Sequence, residues 1–223
     1  VTGSTAGTRY YRVKTYNSQR TCLSNVESVL VWNVTVQDLG VLPVDAMSYA
    51  TDVNDAGQAV GVSVHTSGAE HAFFWNGTAL TALPQLNGNV SVATAINNAG
   101  VIVGCSYDAT AGQIRAVRWT YSAPNWTIED LGAADNGFAV AINDASPAVI
   151  VGTRFPPGGV SVAYQWVAGT GASDLTLGLP PTFSTQAFDV NDAGKIVGNF
   201  VNPVGVPFPF LYTSTGITYL GFP

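Results

Sequence analysis

Carboxylates recur in pairs along this 223-residue chain: Asp52 with Asp55, and Asp189 with Asp192. Two acids so close in sequence are raw material for general acid–base and glycosyl-transfer chemistry. The same residues have a simpler use. Asp55 and Asp192 sit inside Asn-Asp-Ala-Gly, a turn sequence in which Asx side chains bond the nearby backbone. Asp52 and Asp189 stand where Ala95 and Ala141 stand in sister segments. On an innermost strand they would point into a central channel and hold water or a cation. His65, Glu70 and His71 form a possible metal cluster, but the whole chain has 2 histidines. A zinc site takes three or four ligands. No Gly-x-Ser-x-Gly, phosphate loop or Cys-x-x-Cys occurs. The residues therefore predict no catalytic set, no metal and no cofactor.

A different chemistry lies between Thr5 and Glu27. Arg9, Arg12, Lys14 and Arg20 are four of the chain's 8 cations, and Tyr10, Tyr11 and Tyr16 interleave with them. Arginine forks match carboxylate geometry, and tyrosine adds stiff apolar area, so the mixture suits recognition of an anionic group. The predicted ligand-binding set is Arg9, Tyr10, Arg12, Lys14 and Tyr16. Trp126, a tryptophan outside the chain's regular aromatic spacing and near a loop, joins it. The competing role for 5–27 is structural, as a solvated hairpin or as the completion of a sheet.

The elements that carry these residues repeat. ATDVNDAGQAVGVS at Ala50–Ser63 returns as ATAINNAGVIVGCS at Ala93–Ser106, AVAINDASPAVIVGT at Ala139–Thr153 and AFDVNDAGKIVGNF at Ala187–Phe200. Each copy reads as strand, tight turn, strand. Gly61, Gly104, Gly152 and Gly198 precede Trp75, Trp119, Trp166 and Tyr212 by 14 or 15 residues. Gly3 and Trp32 mark a first unit in which that interval is 29, so 5–27 reads as an insertion. Successive aromatics, from Trp32 on, lie 43 to 47 residues apart. In the second unit the strands are expected at Tyr49–Asn54, Gln58–His65, His71–Asn76 and Leu80–Leu83. Four short strands per unit of roughly 45 residues match a propeller blade. The expected fold is all-β: a five-bladed β-propeller forming a single domain, 1–223. Its units are about 1–46, 47–90, 91–135, 136–182 and 183–223. Asn54, Asn97, Asn143 and Asn191 hold one repeat position, which suggests a turn cap or an inter-blade hydrogen bond. The strict spacing of the aromatics places them in the core between blades.

The pattern Ala-x-x-Ile/Val-Asn-x-x-Gly-x-Ile/Val-Val-Gly, followed by His71-Ala72-Phe73-x-Trp75, resembles the HAF repeat of secreted bacterial proteins. Other units depart from the triplet, with Arg115-Ala116-Val117, Val162-Ala163-Tyr164 and Pro209-Phe210-Leu211 in its place. The resemblance spans nearly the whole chain outside the insertion. It implies a secreted, extracellular repeat protein and no particular reaction.

Composition excludes several classes. Apolar residues make up 47% and charged residues 10%, which argues for a compact ordered chain and against disorder. Net charge is −6, which disfavours nucleic acid and anionic membranes as partners. No apolar run reaches the ~18 residues of a membrane span. Cys22 and Cys105 could pair or stay free. Sequons stand at Asn33, Asn76, Asn89 and Asn125. The expected function is a non-catalytic, lectin-like binding module for a glycan or an extracellular protein. It would use the inter-blade grooves and the 5–27 insertion. The alternatives are a glycosidase with carboxylates in a central funnel, and a structural or adhesive module.

Overall fold

The computed structural model describes residues 36–132, 135–175 and 177–220, and before them the backbone of four short strands. The chain divides into two compact units, Val1–Asp38 and Leu39–Pro223. In the first, β1 (Arg9–Tyr10) pairs with β4 (Ser28–Val29), and β2 (Lys14–Asn17) pairs with β3 (Arg20–Leu23), both antiparallel.

The second unit is four antiparallel sheets of four strands each, every one a simple meander. Sheet one comprises β5 (Asp45–Val53), β6 (Ala59–His65), β7 (Glu70–Trp75) and β8 (Leu80–Ala82). Sheet two comprises β9 (Ser91–Ile96), β10 (Ile102–Asp108), β11 (Gln113–Ser122) and β12 (Asn125–Asp130). Sheet three comprises β13 (Asn136–Ile142), β14 (Val149–Phe155), β15 (Val162–Val167) and β16 (Gly171–Asp174). Sheet four comprises β17 (Ser184–Val190), β18 (Ile196–Val201), β19 (Pro207–Thr213) and β20 (Gly216–Tyr219). Among the described residues there is no helix, so none is long and apolar enough to cross a membrane.

Apolar side chains fill three layers, each between consecutive sheets. Val60, Ile102 and Trp119 belong to the layer between sheets one and two. Val103, Ile150 and Trp166 belong to the next. Val151, Ile196 and Phe210 belong to the third. The second strands of sheets two and three contribute to the layers on both of their faces, through Ile102 and Val103 and through Ile150 and Val151. That is why their sequences are continuous apolar runs rather than alternations.

The glycine in each Val-Gly pair has a specific cause. The first strand of every sheet carries a bulge, at Thr51, Thr94, Val140 and Phe188. The bulge drives its backbone against the second strand. A Cβ on Gly61, Gly104, Gly152 or Gly198 would run into the carbonyl of Tyr49, Val92, Phe138 or Gln186. In three sheets the ring of Phe73, Tyr164 or Phe210 also closes over the glycine.

Polar side chains tie the sheets together. Asn54 Nδ2 donates to Asn97 O (3.2 Å), Asn97 Nδ2 to Asn143 O (3.0 Å), and Asn143 Nδ2 to Asn191 O (2.9 Å). The oxygen of each amide accepts from its own turn, at Gln58 N, Val101 N and Val149 N. The repeated asparagine is therefore both turn cap and inter-sheet tie. Thr51 and Thr94, at the bulges, donate to Ala93 O (2.8 Å) and Ala139 O (2.9 Å) of the next sheet.

Candidate ligand-binding groove

A cavity of about 780 Å³ opens between sheets one and two. That volume falls within the ~300–1,000 Å³ of typical small-molecule sites. It lies at the end of the sheets that carries the turns between strands one and two and between strands three and four. One wall is the turn of sheet one, with Ala56 and Gln58, and the facing turn of sheet two, with Asn98 and Gly100. The other is aromatic. Phe74 on β7 and Trp126 on β12 approach to 4.9 Å between ring centroids, and Trp126 and Tyr121 to 5.3 Å. These rings are tilted by 59° and 55°, so they form a notch rather than a stack. Tyr121 is 57% exposed, while Phe74 and Trp126 are half-buried against the core layer.

Local sequence builds this wall. Trp119 pairs with Ile128 across the β11–β12 hairpin, nine positions on, whereas Trp75 pairs with Leu80, five positions on. The hairpin of sheet two is thus four residues longer than its counterpart in sheet one. Tyr121 and Trp126 face each other on the extension.

The amides around the notch are partly committed. Gln58 Oε1 accepts from Asn54 Nδ2 (2.8 Å), and Asn76 Oδ1 accepts from Thr78 N and Ala79 N (both 3.0 Å). Asn98 is saturated by Asp55 and Asp144. Among the described residues nothing bonds Gln58 Nε2, Asn76 Nδ2 or Trp126 Nε1, so these N–H groups remain for a ligand beside the hydroxyls of Thr81 and Tyr121. No Asp, Glu, Lys, Arg or His lines the cavity.

The other sequence-predicted residues lie elsewhere. Arg9 and Tyr10 fall on β1, and Lys14 and Tyr16 on β2, while Arg12 lies outside the described residues. Trp126, by contrast, lines the groove: it is the second residue of β12, beside the β11–β12 turn, and packs against Phe74. Asp52 and Asp189 occupy matching places on the first strands of sheets one and four. Asp52 accepts from Val53 N and, across the sheets, from Ile96 N (both 2.8 Å). Asp189 accepts from Val190 N (2.8 Å). Asp55 is tied to Asn98, and Asp192 accepts from Asp144 N, so the turn acids join neighbouring turns.

The histidines separate. His65 Nδ1 bonds Ser67, and His71 Nδ1 donates to Asp45 at 3.0 Å. Among the described residues no group of three His, Cys, Asp or Glu is placed to hold a metal. Cys105 is a free thiol whose pKa burial pushes up to about 11. A smaller cavity, about 350 Å³, surrounds Arg154, whose guanidinium is already held by Asp135 and Asp174.

Phe74, Tyr121 and Gln58 did not stand out in the sequence, and Asn76 did so only as a sequon. The four extra residues between Trp119 and Ile128 are the signal that marks Tyr121 and Trp126. Phe74 has no comparable mark. No protein-family model matches the chain, and no curated protein is similar to it.

Proposed function

We propose that this chain is a secreted, non-catalytic binding module that recognises a glycan, and that the groove between sheets one and two is its principal site. The carrying observation is the notch of Phe74, Trp126 and Tyr121 beside the unpaired donors of Gln58, Asn76 and Trp126. Aromatic area with a few convergent hydrogen-bonding groups is the general make-up of a small-molecule site. The resemblance to HAF repeats supports an extracellular location. The acids favour binding over hydrolysis: Asp52 and Asp189 stand on different sheets, each engaged with backbone amides.

In this reading the whole chain is a five-bladed propeller whose first repeat unit supplies the fifth blade. One feature supports it: successive aromatics from Trp32 to Tyr212 lie 43 to 47 residues apart. The 5–27 insertion, with its Arg and Tyr content, is a second contact surface.

A glycan array run with the wild type and with Trp126→Ala tests the proposal. The expected result is a set of related hits that the variant loses. A wild type without hits overturns it.

A further inference from the structure

Resting on that reading, we infer that the ligand of the groove is an uncharged saccharide, seated with its C–H face on the Tyr121–Trp126 notch and its hydroxyls toward Gln58 and Asn76. The lining of the cavity offers no charged partner to an ion of either sign. Asp55 and Asp144 bracket Asn98 at the rim, each with a carboxylate oxygen 2.8 Å from its amide nitrogen. Their negative field opposes an anion, and no cation lines the cavity to offset it. A cationic group would find no carboxylate in the lining to pair with, and would meet the N–H groups of Gln58, Asn76 and Trp126 instead. A charge placed there would be desolvated without a partner. A hydroxyl accepts from an N–H donor and also donates, so it satisfies these groups without charge.

Shape points the same way. The rings of Tyr121 and Trp126 are inclined at 55°, offering two adjoining apolar surfaces rather than one flat slot. Tyr121 leaves more than half of its surface in solvent, on a hairpin extension that sheet one lacks. An exposed aromatic on a unit-specific extension has no packing duty in the sheets. Burying its face under the apolar side of a sugar ring gives it one. The proposal separates this groove from the cationic 5–27 segment, whose chemistry suits anions.

Titration calorimetry tests it with three probe sets: neutral gluco-, manno-, galacto- and xylo-oligosaccharides, oligogalacturonate of matched length, and a proline-rich peptide. The expected result is binding of at least one neutral oligosaccharide. Its Kd should change less than about twofold between about 50 and about 500 mM salt, since no ion pair is screened. Tyr121→Ala, which removes an exposed ring and leaves the core intact, should weaken it about tenfold. Tighter, salt-sensitive binding of oligogalacturonate overturns the uncharged ligand while leaving a glycan-binding module. Binding of the peptide alone overturns both the saccharide and the glycan reading. Silence from every probe overturns both as well. Neutral binding unchanged in Tyr121→Ala puts the sugar elsewhere and overturns the site.

Discussion

Replacing Asn97 by Asp turns one amide into a carboxylate at the centre of the ties between sheets. Asn97 is 4% exposed. Its Oδ1 accepts from Val101 N at 2.9 Å, and its Nδ2 donates to Asn143 O at 3.0 Å. Aspartate keeps the first bond and destroys the second, setting a negative oxygen against a carbonyl oxygen. A lost hydrogen bond costs about 1 kcal/mol, and a buried carbonyl left unsatisfied about 1–3 kcal/mol. The expected loss is about 2–4 kcal/mol, which for a domain of this size lowers Tm by roughly 4–16 °C. Asn191 is the control. Its Oδ1 accepts from Ala193 N (3.1 Å) and Lys195 N (3.0 Å), and its Nδ2 has no partner among the described residues. Asn191→Asp should therefore stay within about 0.5 kcal/mol of the wild type. Urea unfolding at neutral pH, followed by near-UV circular dichroism, ranks the two. Equal losses would reduce the asparagine to a turn cap and refute the inter-sheet role. An unaffected Asn97→Asp would show that the tie carries no weight.

Two further outcomes follow from the core and the acid side. Trp119 is fully buried and its Nε1 donates to Pro84 O at 2.7 Å, so Trp119→Ala should cost about 3–5 kcal/mol. Half-buried Trp126 should cost less on truncation, and thermal melts that reverse this order refute the assignment of core and groove. The Asp45 side chain is 1% exposed. Burial pushes its pKa up, but bonds from His71 and Ser63 and the charges of His71 and His65 outweigh burial and hold it below the ordinary 3.8. A carboxylate depressed in the folded state stabilises fully above its unfolded pKa, and that contribution is lost as pH falls through the folded value. Asp45→Asn should thus flatten the acid limb of stability against pH below about 4; an unchanged limb would refute the pairing.

Much of the sheet architecture was legible because it repeats. The predicted Gln58–His65 and Leu80–Leu83 became β6 (Ala59–His65) and β8 (Leu80–Ala82). The alternating and continuous apolar runs report how many faces a strand buries, and that is a local property of the sequence. The first strand was read as beginning at Tyr49, whereas β5 begins at Asp45, whose buried carboxylate is anchored by His71. No local rule carries that pairing across 26 positions. The Val-Gly mark was visible, but its cause was not. A bulge belongs to two strands at once, and only their register shows that Gly104 faces the carbonyl of Val92. The spacing assigns the aromatic positions to the core together, yet Trp75 and Tyr212 are half-buried while Trp119 and Trp166 are buried, and Trp32 lies outside the described residues. Trp119, Trp166 and Tyr212 pack in the layer shared with the preceding sheet of the second unit, and Trp75 belongs to none of the three layers. Spacing alone does not distinguish the half-buried members from the buried ones.

The groove arises where the sheets stop being equivalent, and two departures are enough to make it. Phe74, Arg118, Gln165 and Leu211 hold one register position on the third strands, opposite Val60, Val103, Val151 and Val197. In sheet two that position is arginine, which lays its guanidinium 4.4 Å from the Trp166 ring and bonds Glu129. The junction between sheets two and three is thereby covered by the protein's own cation. In sheet one the position is Phe74, which has no charge to pair and leans on Trp126 instead. The longer β11–β12 hairpin then adds Tyr121 beyond the end of the repeat. Neither change disturbs the asparagine ties, the bulges or the glycines that hold sheet to sheet. Stacked sheets of this kind can acquire a site by varying a third-strand position and a hairpin length while the elements that hold the stack stay fixed.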